Sequence, residues 1–69
     1  MSGTYKMVTL IGTSPDSYEQ AIQNALQHAT TTLRHLTWFE VQELRGGIAD
    51  GRVKEYQVKL QVGLKVEGP

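Results

Sequence analysis

The segment Glu55–Val66, EYQVKLQVGLKV, decides the fold, because apolar residues occupy every second position without a break. A period of two is the repeat of a β-strand, in which successive side chains point to opposite faces of the sheet. One face of this strand is therefore apolar, and the other face carries Gln57. The apolar set comprises Tyr56, Val58, Leu60, Val62, Leu64 and Val66.

Two further strands are predicted upstream of this segment. The stretch from Leu36 to Ile48 contains aromatic and β-branched residues, and its Gly46-Gly47 pair marks a bulge or bend. The Asp-Gly pair within residues 49–52 is typical of a tight hairpin turn, so this strand is expected to pair with the last one. Near the N-terminus, the stretch from Tyr5 to Gly12 is rich in strand-forming residues and indicates a first strand.

An amphipathic helix of about four turns is predicted between the first and second strands. Its apolar residues recur at helical spacing: Tyr18, Ile22, Ala25, Leu26, Ala29 and Leu33. Two starts fit the sequence, because Ser14 before Pro15 forms one N-cap and Asp16 with Glu19 forms a rival capping box. The helix is expected to end within residues 30–35, where three threonines weaken helix propensity.

The predicted order is therefore β-α-β-β, a single α+β domain over residues 1–69 in which a three-stranded antiparallel sheet packs on one helix. A chain of this length buries only about 60% of the surface that its unfolded form exposes. The sequence has no cysteine, which excludes disulfides and thiolate metal sites, and His28 and His35 lack partners at zinc-ligand spacing. Association with further copies of the chain is the remaining source of stability.

Composition argues against several classes of function. Seven basic residues balance seven acidic ones, which gives no positive field for nucleic acid or anionic lipid. No apolar run approaches the roughly 18 residues that span a bilayer, and the N-terminus lacks the apolar segment of a signal peptide. The cluster of Ser14, Asp16 and Ser17 is better explained by helix capping than by catalysis. We expect a cytoplasmic protein that is not an enzyme and holds no metal.

Strand alternation places Trp38 on the sheet face that the helix leaves uncovered. If Phe39 and Val41 point to the helix, the residues that point away are Leu36, Trp38, Glu40, Gln42 and Leu44. Gln57 lies on the same uncovered face of the last strand. A large exposed aromatic is disfavoured unless it meets a partner, so Trp38 either fills a subunit interface or stacks on a flat heteroaromatic ligand beside the Gln57 amide. The residues alone leave both alternatives open.

Several groups of residues together resemble the dodecin family. They are Gly12-Thr13-Ser14 before the helix, Leu36-Thr37-Trp38-Phe39-Glu40-Val41 after it, Arg45-Gly46 in the second strand, and Tyr56-Gln57-Val58 with Val62-Gly63 in the third. The resemblance implies a hollow dodecamer of identical subunits, with each sheet wrapped around its helix. It further implies pairs of flavins stacked between symmetry-related copies of Trp38, with Gln57 at the polar edge of the flavin ring.

The same resemblance implies flavin storage and photoprotective quenching rather than catalysis. Arg45 is the expected partner of the FMN phosphate, so FMN is expected in preference to riboflavin or FAD. Some members of the family also bind coenzyme A through basic residues, for which Lys6, Arg34 and Lys65 are candidates by charge. The alternative function is an oligomeric interaction module, with coenzyme A as its ligand, in which Trp38 is interface packing.

Overall fold

The computed structural model describes residues 3–67 and has the predicted β-α-β-β order. Strand β1 covers Tyr5–Ser14, helix α1 covers Tyr18–Thr32, strand β2 covers Leu36–Ala49 and strand β3 covers Arg52–Lys65. Strand β3 lies in the centre and pairs antiparallel with β1 on one side and with β2 on the other. This confirms the three-stranded antiparallel sheet, which wraps around α1. At 15 residues, α1 is neither long enough nor apolar enough to cross a membrane.

Helix α1 begins later than either of its predicted starts. Ser17 is the N-cap, and its hydroxyl accepts a hydrogen bond from the backbone N–H of Gln20 at 3.0 Å. The hydroxyl of Ser14 instead accepts from the backbone N–H of Asp16 at 2.9 Å, at the end of a strand that continues past Gly12. Both predicted caps were wrong, because Ser14, Asp16 and Ser17 are all capping residues in one short run and the helix begins at the last of them.

Small residues form the face of α1 that packs on the sheet. Ala21, Ala25 and Ala29 are buried on this face. A Cβ atom at Gly12 would overlap the backbone carbonyl oxygen of Ala21, so the helix backbone lies directly against β1. The larger residues predicted for this face, Ile22 and Leu26, are only partly buried and pack against the core from its periphery. The sheet contributes the fully buried side chains Val58, Leu60 and Val62.

The β2–β3 hairpin turns at the predicted Asp-Gly pair. Asp50 and Gly51 have positive φ angles of 54° and 73°, which is the backbone of a two-residue type I′ turn. Strand β1 pairs with the part of β3 from Tyr56 to Lys65, so the tip of the hairpin extends past β1. At this tip Ile48 is 78% exposed. A single chain therefore presents apolar surface at the tip of the β2–β3 hairpin.

Two bulges in β2 change which side chains face the helix. The pairing with β3 shifts at Thr37 and again at Gln42, and each of these is an extra residue. As a result, Leu36 packs against the core, and Leu44 lies opposite a buried valine of β3. The prediction that both leucines point away from the helix was wrong, because strict alternation fails across a bulge. A third shift follows Gly47, beside the predicted glycine bulge, but its extra residue is Lys54 of β3.

The helix-side face of β2 remains open in a single chain. Phe39, Val41 and Leu44 lie opposite the buried centre of β3, yet they are 43%, 43% and 57% exposed. Helix α1 lies mainly over β1 and β3, so these side chains extend the core beyond the helix. We call them the open apolar row. Because contiguous apolar surface of this kind marks an interaction site, the core of one chain is incomplete.

Candidate functional site

The indole of Trp38 rests flat on strand β3. As predicted, Trp38 lies on the sheet face away from α1, where it is opposite Gly63. A Cβ atom at Gly63 would lie 2.5 Å from Cη2 and Cζ2 of the indole and 2.6 Å from its Cε2. Three atoms of the six-membered ring are thus nearly equidistant from this point, so the ring turns its face to the glycine. A side chain at position 63 would push the indole off the strand.

The Trp38 side chain keeps exposed surface beyond its contact with Gly63. Trp38 is 40% exposed, and Tyr5 makes a T-shaped contact with it, with ring centroids 5.2 Å apart and an interplanar angle of 67°. A T-shaped aromatic contact of this kind stabilises the orientation of the indole. Trp38 therefore provides a flat, supported aromatic surface on the outside of the sheet.

A run of polar side chains lies further along the same outer face. Arg45 lies opposite Gln57, and its Nε donates to the Gln57 Oε1 at 3.1 Å. The Gln57 Nε2 in turn donates to the Glu55 Oε2 at 2.7 Å. The Arg45 Nη1 also lies 3.6 Å from the Glu43 Oε1. We call these four residues the polar row, which holds one guanidinium and one amide side by side.

Trp38 and the polar row share a face but do not meet within one chain. Gly63, which supports the indole, stands six residues after Gln57 on an uninterrupted strand. Strand residues advance about 3.3 Å each, so the two sites are about 20 Å apart. The structure thus brings Arg45 and Gln57 together and leaves Trp38 apart from both. A site that uses all three side chains needs two copies of the chain.

Three residues that shape these surfaces were missed by sequence reasoning. Gly63 supports the indole, Tyr5 makes a T-shaped contact with it, and Glu55 binds the Gln57 amide. The signal for Gly63 was a single glycine inside an otherwise alternating strand, which marks a close approach. The signal for Glu55 was its spacing, since residues i and i+2 of a strand share a face. Tyr5 gave no local signal, because its contact depends on the strand order.

Two grooves of the structure involve neither Trp38 nor the polar row. A groove of about 900 Å³ runs between α1 and β1, and one of about 320 Å³ lies beside His35 and Glu67. Neither groove is lined by Trp38 or by the polar row. Within residues 3–67, no three His, Cys, Asp or Glu side chains are grouped so as to hold a metal ion. In one chain the candidate site is an open sheet face.

Comparison with known proteins gives one family for almost the full length of the chain. The dodecin family profile matches residues 4–67. A dodecin from Thermus thermophilus is 57% identical over 67 residues, which is 97% of this chain and 97% of that protein. This chain belongs to the dodecin family.

Solved structures of relatives share the dodecin fold seen here. A Thermus thermophilus structure, 54% identical, has a TM-score of 0.93 and covers 99% of this chain and 100% of its own. The dodecin from Streptomyces coelicolor is 46% identical with a TM-score of 0.93, over 97% of this chain and 96% of that one. The W38F and R45A variants of Thermus thermophilus dodecin have also been solved.

A more distant dodecin is named for a metal. The calcium dodecin of Mycobacterium tuberculosis is 34% identical over 62 residues, which is 90% of this chain and 87% of that protein. Its solved structure has a TM-score of 0.81 to this chain. This name specifies a ligand, whereas the name of the Thermus thermophilus relative does not. The ligand of this chain therefore has to be inferred from its own residues.

Proposed function

We propose that this dodecin binds flavin, with FMN preferred, in a symmetric oligomer that stores the cofactor and shields it from light. The observation that carries the proposal is the Trp38 indole, which lies flat on Gly63 and is 40% exposed. A supported aromatic surface suits a flat heteroaromatic ligand. The Thermus thermophilus dodecin has a tryptophan numbered 38 and an arginine numbered 45, as this chain does, which supports the choice of residues.

Stacking on the indole accounts for both storage and quenching. Oxidised flavin is electron-poor and indole is electron-rich, so parallel contact adds donor–acceptor attraction to dispersion. The same contact permits fast electron transfer to the excited flavin, which removes its fluorescence and its photochemistry. Because no bond of the flavin changes, the proposed function is binding and not catalysis.

More than one copy of the chain builds the proposed site. Trp38 lies about 20 Å from Gln57 along the sheet, so the amide that meets the ring edge comes from another copy. Two symmetry-related Trp38 side chains would then enclose a pair of stacked flavins. The open apolar row supplies surface for assembly. We take the dodecamer implied by the family resemblance as the assembly.

Arg45 is the proposed partner of the FMN phosphate. Its Nε is used by Gln57, which fixes the side chain, while its Nη1 faces Glu43 at the longer distance of 3.6 Å. An exposed ion pair of that length contributes little, whereas a phosphate accepts short, charge-assisted bonds from a guanidinium. A phosphate would therefore displace Glu43, and riboflavin, which has no phosphate, would gain nothing from Arg45.

The alternative function is an interaction module in which Trp38 packs between subunits. Coenzyme A is the ligand of this alternative, and its candidate residues Lys6, Arg34 and Lys65 lie in or beside the strand ends at one end of the sheet. The colour of the purified protein distinguishes the two functions. Protein that is purified from cells with bound flavin is yellow, and an assembly without flavin is colourless.

Arg45→Ala is expected to weaken FMN binding at least about tenfold more than it weakens riboflavin binding, because one charge-assisted hydrogen bond to the phosphate contributes about 1.5–3 kcal/mol. Calorimetric titration of the oligomer with FMN, riboflavin and FAD measures the change. Arg52→Ala, at the hairpin turn, is the matched control and should keep the preference for FMN. Equal losses for FMN and riboflavin in Arg45→Ala would show that Arg45 does not bind the phosphate.

A further inference from the structure

Glu55 makes the shortest hydrogen bond of the polar row. It stands two residues before Gln57 on the outer face of β3, and its Oε2 accepts from the Gln57 Nε2 at 2.7 Å. The contact is partly buried, and a bond to a carboxylate is stronger than one between neutral groups. Glu55 is therefore placed to control how the Gln57 amide is oriented.

We propose that Glu55 is a positioning residue that fixes the Gln57 amide and thereby sets the preference of the site for the polar edge of flavin. This role rests on the proposed function, in which Gln57 meets that edge. Arg45 donates to the amide oxygen and Glu55 accepts from the amide nitrogen, so groups of opposite charge hold its two ends. A flipped amide would set N–H groups against the guanidinium and its oxygen against the carboxylate, which loses both bonds.

The held amide keeps one acceptor and one donor for a ligand. An amide oxygen has two lone pairs and an amide nitrogen has two N–H groups, and the polar row uses one of each. The remaining acceptor and donor complement the pyrimidine edge of flavin, where N3–H lies between two carbonyl groups. Because the amide is already oriented, binding costs less conformational freedom. Loss of Glu55 should therefore reduce selectivity for this edge more than it reduces stacking.

The experiment compares riboflavin with N3-methylriboflavin, which lacks the N3–H but has the same stacking ring. Neither carries a phosphate, so the proposed phosphate contact of Arg45 plays no part. The wild-type oligomer is expected to bind riboflavin about tenfold more tightly, which is the effect of one unmet hydrogen bond. Glu55→Met removes the carboxylate at similar volume, and the ratio of the two affinities should fall to about threefold or less.

Two further variants separate positioning from charge. Glu43→Met removes an equal charge from the other end of the polar row but leaves both Gln57 hydrogen bonds, so the wild-type ratio should persist. Glu55→Gln keeps an oxygen acceptor without the charge, and its ratio should lie between those of the wild type and Glu55→Met.

Three results would overturn the positioning role of Glu55. They are a wild-type oligomer that binds both flavins equally, an unchanged ratio in Glu55→Met, and an equal fall of the ratio in Glu43→Met. A wild-type oligomer that binds neither of these flavins nor FMN would instead overturn the proposed function itself. Measuring all four proteins therefore distinguishes failure of the positioning role from failure of flavin binding.

Discussion

Trp38→Ala is expected to weaken FMN binding by about 10- to 100-fold, because stacking on an aromatic side chain contributes about 1–3 kcal/mol per ring. Any FMN that still binds should remain fluorescent, since the electron donor is gone. The indole rests on the sheet surface, against Gly63 and the ring of Tyr5. Its removal therefore leaves the core of Ala21, Val58 and Leu60 intact. Fluorescence titration measures affinity and emission, and size-exclusion chromatography measures assembly.

Trp38→Phe is the matched control for this variant. It keeps a smaller aromatic face over Gly63, so its FMN affinity should lie between those of the wild type and the alanine variant. A contrary pattern would support the alternative function. If Trp38→Ala dissociates the oligomer while FMN affinity persists in what remains, Trp38 is an interface packing residue and not the flavin plate.

Val41→Asp is expected to dissociate the oligomer and to unfold most of the released chain. Val41 is 43% exposed in one chain, and a substitution at such an open position would cost a lone monomer little. In the assembly, the same carboxylate would be buried against another copy without a partner, which is strongly destabilising. Because the core of one chain is incomplete, dissociation should unfold it. Size-exclusion with light scattering and far-ultraviolet circular dichroism report the two effects.

Gln23→Asp provides the matched control, because it adds the same charge on the face of α1 opposite the buried alanines. This variant should assemble as the wild type does. An assembled and folded Val41→Asp protein would show that the open apolar row is not an interface. A wild-type chain that is stably folded as a 7.7 kDa monomer would contradict assembly altogether.

Local patterns predicted most of the fold. The unbroken alternation of Glu55–Val66 and the Asp50-Gly51 turn depend on neighbouring residues, so the β2–β3 hairpin and the faces of β3 followed from the sequence. The buried face of α1 was predicted less well. The helical pattern was drawn from the large apolar residues, whereas the buried residues are alanines. Ala21 is fully buried through the close approach of the helix to Gly12, and that contact exists only in the tertiary structure.

The candidate site was predicted in part. Gln57 lies on the outer face as expected, because side chains alternate between the two faces along β3. Trp38 lies on the same face as expected, because it pairs with Gly63. Leu36 and Leu44 were misplaced because the bulges at Thr37 and Gln42 contain no glycine to mark them. The separation of Trp38 from Gln57 depends on the pairing register, which a hydrophobic pattern does not give. The flavin itself came from the family resemblance and not from spacing or charge.

Titration of a fixed amount of FMN with the flavin-free oligomer, followed by flavin emission, tests most directly whether flavin stacks between Trp38 side chains. We predict that emission falls close to zero and that the end point lies at one FMN per chain, because each Trp38 covers one flavin. Emission that remains unchanged at excess protein would contradict the proposed stack, since a flavin in parallel contact with indole does not stay fluorescent.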